Sequence, residues 1–177
     1  MAQGSKKVAF LLAEGFEDSE MKNPYEAIVK NGNDAVIIGL EKGVELTGKR
    51  GTVSYTTHMS AEEADPSEFS AVIIPGGKSP SHLRESDAII RFVQEADGQG
   101  VPISAICHGP QVLQRAGLLK NKSFTSYPGI AEEIAVDGAV FLDKPVVVED
   151  NLIMSRTPDD EPYFIEETIK RLGVDAY

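Results

Sequence analysis

The chain holds one cysteine, Cys107, in the run Ala105-Ile106-Cys107-His108-Gly109-Pro110-Gln111. Residues 102–106 are apolar enough to read as a buried strand, and Gly109-Pro110 opens a helix directly afterwards. A side chain on such a strand-to-helix elbow projects out of the sheet, near the positive end of the helix dipole. Both effects favour a thiolate, and reactive cysteines in such settings have pKa values of about 3.5–7.5 instead of about 8.5. Most free cysteines are small buried hydrophobes; the elbow marks Cys107 as a nucleophile instead.

His108 follows at once. Neighbours on a regular strand point to opposite faces, so ring and thiol meet only if the elbow bends sharply. His108 either supports the thiolate and relays protons or turns into a subunit contact. Pro75-Gly76-Gly77 ends a second buried strand, residues 71–74. The N–H groups of Gly76, Gly77 and His108 are placed to face a developing oxyanion, because glycine lets the backbone approach closely. His58 and His82 carry no metal spacing and read as surface histidines. A structural metal is not expected, and no cofactor is.

These residues need a scaffold that brings them to one edge. Residues 7–13 read as a buried strand. A helix then starts either at Asn23-Pro24 or near Glu17 with a kink at Pro24. Residues 35–40 form a second strand, and residues 47–59 a short strand pair or irregular excursion. Ser79-Pro80 opens a helix through about Asp97, with Leu83, Ile90 and Val93 at core spacing. Residues 140–154 read as strands joined by tight turns, and Thr157-Pro158 caps a last helix ending near Gly173. Strands alternating with helices predict one α/β domain over residues 1–177, a mainly parallel sheet covered on both faces. Sites in such sheets lie at the carboxyl ends of the strands. Three unusual segments stop there: residues 13–17, 75–77 and 107–109.

The composition excludes several classes of function. With 177 residues, 41% hydrophobic and 25% charged, the chain is that of an ordinary globular protein. The first apolar run ends at Glu14, too short for a signal-peptide core or a membrane span, so a cytoplasmic protein is expected. A formal net charge of −11 argues against non-specific nucleic-acid binding, which draws on neutralised phosphates. The acidic groups at residues 62–65 and 159–161 read as solvated helix starts and loops.

Taken together, residues 8–11, Phe16-Glu17-Asp18, Pro75-Gly76-Gly77, residues 105–111, residues 125–129 and Ser155-Arg156 resemble the PfpI-type intracellular protease family. Its superfamily includes the Parkinson-disease-associated deglycase and the class I glutamine amidotransferases. The resemblance implies a flavodoxin-like sandwich, Cys107 as nucleophile, and Glu17 beside the thiol as a protonated acid. An ionised Glu beside a thiolate is a like-charge pair, so one member keeps its proton. Tyr127, Pro128 and Arg156 are expected to line the substrate pocket with Gly76 and Gly77, and at least a homodimer is expected. In peptidase-like members a carboxylate from the neighbouring subunit orients the histidine after the cysteine. Ser81 stands at that place here and supplies no acid. The deglycase branch carries a histidine where this chain has Tyr127.

The expected function is cysteine-dependent chemistry on α-oxoaldehydes, of glyoxalase or deglycase type, with small reactive aldehydes or glycated adducts as partners. Two alternatives stand beside it: an intracellular cysteine peptidase, and a non-enzymatic sensor in which peroxide oxidises Cys107.

Overall fold

The computed structural model describes residues 6–173. The chain runs β1 (Lys7–Leu11), α1 (Asp18–Lys30), β2 (Asp34–Gly39), β3 (Glu45–Thr47), β4 (Ser54–Thr56), β5 (Met59–Ser60), β6 (Ala71–Ile74), α2 (Ser79–Leu83) and α3 (Asp87–Gly98). It continues through β7 (Ile103–Ile106), α4 (Pro110–Arg115), β8 (Ser123–Phe124), α5 (Ala131–Ile134), β9 (Val140–Phe141), β10 (Val147–Glu149), β11 (Leu152–Ser155) and α6 (Glu161–Gly173).

Seven strands form one sheet in the order β10-β11-β7-β6-β1-β2-β5, parallel throughout except for β10 against β11. Alternate residues of each central strand feed opposite cores. On β1, Ala9 and Leu11 enter one cluster while Val8 and Phe10 enter the other; on β6, Val72 and Ile74 oppose Ala71 and Ile73. This two-sided burial explains why these strands read as unbroken apolar runs. The first cluster is covered by Ile89, Phe92 and Val93 of α3 and Val112 and Leu113 of α4. The second is covered by Met21 and Ile28 of α1 and Phe164 of α6.

Strand order reverses at β1, whose neighbours are β2 on one side and β6 on the other. Such a switch point opens a crevice at the carboxyl ends of the strands. The loops after β1, β6 and β7 all leave the sheet at this edge.

Three elements differ from the sequence reading or resolve it. The first helix is continuous from Asp18 and carries Pro24 inside it; the proline forgoes only the N–H that would bond the carbonyl of Glu20. The helix expected from Ser79 to Asp97 is two helices. Ser86 caps the second, its Oγ accepting the N–H of Ile89 at 3.2 Å, and an N-cap of this kind restarts a helix in a new direction. Residues 140–154 divide between two sheets: β9 pairs with β8, while β10 and β11 form the edge hairpin of the main sheet.

The excursion at residues 47–59 is the antiparallel hairpin β3–β4, whose tip folds over the start of α1. Asp18 anchors it by accepting the backbone N–H groups of Arg50 and Thr52, each at 2.9 Å, and the Thr52 hydroxyl at 2.7 Å. The Lys49 N–H donates to the Phe16 carbonyl at 2.8 Å.

Candidate active site

Cys107 leaves β7 with φ of 64°. A side chain in that left-handed region is strained and persists only where its surroundings enforce it. The enforcement is visible: Cys107 N–H donates to the Ser155 carbonyl at 3.0 Å, and its carbonyl accepts the Tyr127 N–H at 2.8 Å. Gly109 closes the elbow, since a Cβ there would lie 2.6 Å from the Ile74 carbonyl. The sharp bend brings the His108 ring back, and Nδ1 sits 3.3 Å from the Cys107 sulfur. On its other side His108 stacks on Tyr127, with ring centres 5.0 Å apart and planes 19° from parallel.

The Pro75-Gly76-Gly77 turn lies across from the elbow. Gly77 has φ of +82°, and Phe16 pairs with it in an isolated bridge. The backbone N–H groups of His108 and Gly77 both face the Cys107 sulfur. A Cβ on Gly76 would lie 2.8 Å from Cys107 Cβ and 2.5 Å from Glu20 Oε1. Cys107 Cβ and the Glu20 carboxyl therefore both pack against this glycine.

The buried carboxyl beside this turn is Glu20, whereas the residue expected there as a protonated acid, Glu17, faces the hairpin cations. The Glu20 side chain is fully buried, and Oε1 accepts the Gly76 N–H at 2.8 Å while Oε2 has no protein partner. Burial, with the charges of Glu17 and Glu161, pushes its carboxyl up to about 8 against the opposing Gly76 bond and Lys49 charge. At neutral pH Glu20 is mostly protonated, and the partnerless Oε2 is where the proton fits. Glu17 is the N-cap residue of α1 and turns its carboxylate to the hairpin tip. Arg50 Nε lies 2.6 Å from Oε2, and Lys49 Nζ 3.0 Å from Oε1. Burial alone would raise Glu17, but bonds from Arg50 and Lys49 outweigh it and hold the carboxyl below its ordinary value. Glu17 is ionised and serves the cations.

A signal for Glu20 was present in the sequence. With the helix begun at Asp18, Glu20, Pro24 and Ile28 recur at intervals of four, and all three are buried. A carboxylate on the inward stripe of a helix that starts beside the site is the one burial will protonate.

The thiol differs from expectation as well. Burial pushes the Cys107 thiol up, and Glu20 adds to this once it ionises; the His108 and Gly77 N–H groups and Lys49 pull the other way. The resting site holds a protonated thiol, because it is only 8% exposed and poorly solvated. Burial also lowers His108, helped by Lys49 and Arg84 and opposed by Glu133.

The remaining predicted residues divide. Tyr127 and Pro128 lie exposed at the lip, next to the elbow. Arg156 follows Ser155 at the same edge, but its guanidinium is spent: Nε lies 2.9 Å from Asp160 Oδ2, and its other nitrogens meet Asp160 Oδ1 at 3.1 Å and Asp143 Oδ1 at 2.9 Å. These bonds raise its pKa and engage within the fold the guanidinium that was expected to line the substrate pocket. Ser81 is exposed and its hydroxyl donates to the Lys78 carbonyl at 2.6 Å. His58 and His82 are exposed. Among the described residues, no three His, Cys, Asp or Glu side chains are grouped to hold a metal ion, and no helix is long and apolar enough to cross a membrane.

Comparison with known proteins places the chain in a family. The sequence profile of the DJ-1/PfpI family matches residues 6–171. Protein/nucleic acid deglycase 2 of Escherichia coli is 39% identical over 170 residues, covering 96% of this chain and 99% of that protein. A Bacillus subtilis protein, provisionally named a cysteine protease, is 41% identical over 168 residues, covering 95% and 99%. A solved two-domain protein from Anabaena variabilis, with DJ-1/ThiJ/PfpI-like and ferritin-like domains, superposes with a TM-score of 0.94 at 40% identity. The match covers 96% of this chain and 48% of that one. The sandwich described above is the flavodoxin-like fold of these proteins.

Proposed function

Because this chain belongs to the DJ-1/PfpI family, and relatives at this distance are named deglycases, we propose that it is a cysteine-dependent enzyme converting α-oxoaldehydes such as methylglyoxal to hydroxy acids. The observation that carries this reading is the meeting of the Cys107 thiol and the buried, protonated Glu20 at Gly76, with two backbone N–H groups on the sulfur.

The chemistry follows from these groups. Cys107 gives up its proton to His108 and the sulfur attacks the aldehyde carbon, forming a C–S bond. The carbonyl pair moves to oxygen, where the Gly77 and His108 N–H groups stabilise it and Glu20 delivers a proton. The adduct is a hemithioacetal. Removal of the proton on its carbon gives an enediolate; a proton delivered to the former ketone carbon, with loss of the proton on the former aldehyde oxygen and gain of one by the former ketone oxygen, yields the thioester of a hydroxy acid. Water then releases the acid and restores the thiol. Glu20 and His108 are the groups within the site able to move these protons at neutral pH.

Deglycation is a consequence of the same reaction. Early aldehyde adducts on proteins form reversibly, so consuming the free aldehyde draws them apart by mass action. Lactate formation from methylglyoxal tests the proposal. Wild type turns over and Cys107→Ser, folded, does not; equal turnover by both would refute it.

A cysteine peptidase is the second reading, favoured by the provisionally named protease relative. Ser81 weighs against it, because its hydroxyl is bonded within its own chain and carries no charge to hold an imidazolium. Thiol-dependent cleavage of a fluorogenic peptide would establish it.

A further inference from the structure

Lys49 is brought to the site by the hairpin tip and has no part in the steps above. Its backbone bonds Phe16; Phe16 pairs with Gly77, and the next residue, Glu17, donates its N–H to the Gly76 carbonyl at 3.0 Å. Lys49 is thus held one short chain of contacts from the glycines that face Cys107. Its side chain is 36% exposed, and its charge acts on Cys107, Glu20 and His108 alike. Among the described residues its ion-pair partner is Glu17, at 3.0 Å.

Glu17 does not depend on Lys49. Arg50 grips both of its oxygens, Nε at 2.6 Å from Oε2 and a terminal nitrogen at 3.3 Å from Oε1. Lys49 can therefore leave without stranding a buried carboxylate, the step that makes breaking most buried ion pairs costly. The proposed reaction ends in a carboxylate formed on the carbon bonded to sulfur, inside a protein of formal net charge −11. A cation beside the sulfur favours an anion held in such a place.

We infer that Lys49 is the carboxylate-binding residue of this site, swinging from Glu17 to the carboxylate of a short 2-oxo or 2-hydroxy acid held at Cys107. The inference rests on the aldehyde reading of the site. It has a consequence for glyoxylate, which carries an aldehyde and a carboxylate on adjacent carbons. The Cys107 sulfur bonds the aldehyde carbon, the carbonyl pair moves to oxygen, and the thiol proton ends on the new hydroxyl. The neighbouring carbon is a carboxylate and cannot accept the proton transfer that a ketone accepts. The adduct stops there, reversible and paired to Lys49.

The test is protection of Cys107 from alkylation by iodoacetamide, measured against each variant's own rate. Glyoxylate and glycolate should protect the wild type. Lys49→Met should raise both half-protecting concentrations about tenfold or more, and Lys49→Arg should restore them. Glycolaldehyde, which lacks the charge, should protect wild type and Lys49→Met equally, which establishes that the variant is folded and its thiol competent. The inference is overturned if glyoxylate protects wild type and Lys49→Met at the same concentration, if neither acid protects the wild type, or if glycolaldehyde fails on Lys49→Met. No turnover is needed for this readout, so a protein that makes no lactate from methylglyoxal would refute the aldehyde reading separately.

Discussion

Glu20 and Gly76 are bound in one direction only: the Gly76 N–H donates to Glu20 Oε1 at 2.8 Å, and the other carboxyl oxygen is buried without a protein partner. A carboxylate would leave that oxygen's charge unanswered, so the pair holds a carboxylic acid. Its folded pKa, about 8, stands above the ordinary carboxyl value of 4.5. The folded state thus binds the proton more tightly than the unfolded chain. The stability this contributes is complete below the unfolded value and is lost as pH rises through the folded one. Wild type should lose a few kcal/mol between about pH 5 and about pH 9 that Glu20→Gln does not lose. Urea denaturation of both proteins across that range checks it.

Gly76 leaves no room for a side chain. An added Cβ would lie 2.8 Å from the Ile106 carbonyl oxygen, which is backbone and cannot yield, and against both Cys107 and Glu20. Gly76→Ala should destabilise by about 1–3 kcal/mol and depress turnover more than a stability loss of that size explains. Chemical denaturation and kinetics on the folded fraction separate the two effects.

His108 lies 3.3 Å from the sulfur through Nδ1 and is kept neutral by burial and nearby cations. A neutral ring can accept the thiol proton. His108→Ala should lower kcat by about 10²-fold or more and shift the pH profile of Cys107 alkylation upward. Tyr127→Phe keeps the stacked face and should change neither greatly.

Arg156 joins Asp143 to the buried Asp160 and is not free to meet substrate. Arg156→Ala should cost about 1–3 kcal/mol of stability while leaving KM close to wild type. A large rise in KM with unchanged stability would return Arg156 to the substrate pocket.

The strands and the elbow could be read from the residues because their causes are local. An apolar run of strand length, a proline at a helix start and a double glycine each act within a few positions. The choice between Glu17 and Glu20 was not local in this sense. Helical spacing turns Glu20 inward once the helix is begun at Asp18, but what keeps Glu17 ionised is a hairpin more than 30 positions further on that delivers Lys49 and Arg50 to it. Nothing near Glu17 in the sequence announces those cations. The bonds of Arg156 were hidden likewise, since its partner Asp160 reads as a solvated helix-start acid and is in fact buried. The helix expected over Ser79 to Asp97 failed for a different reason: Ser86-Asp87 is a capping signal inside a run whose apolar spacing remains helical.

The most direct test compares two substitutions that are chemically identical and three positions apart. Lactate formation from methylglyoxal is measured for wild type, Glu20→Gln and Glu17→Gln, each shown to be folded. The account predicts that Glu20→Gln loses about 10²-fold or more in kcat, because an amide cannot deliver the proton, while Glu17→Gln retains most of its turnover. Full activity in Glu20→Gln with loss in Glu17→Gln would contradict it and make Glu17 the acid of the site.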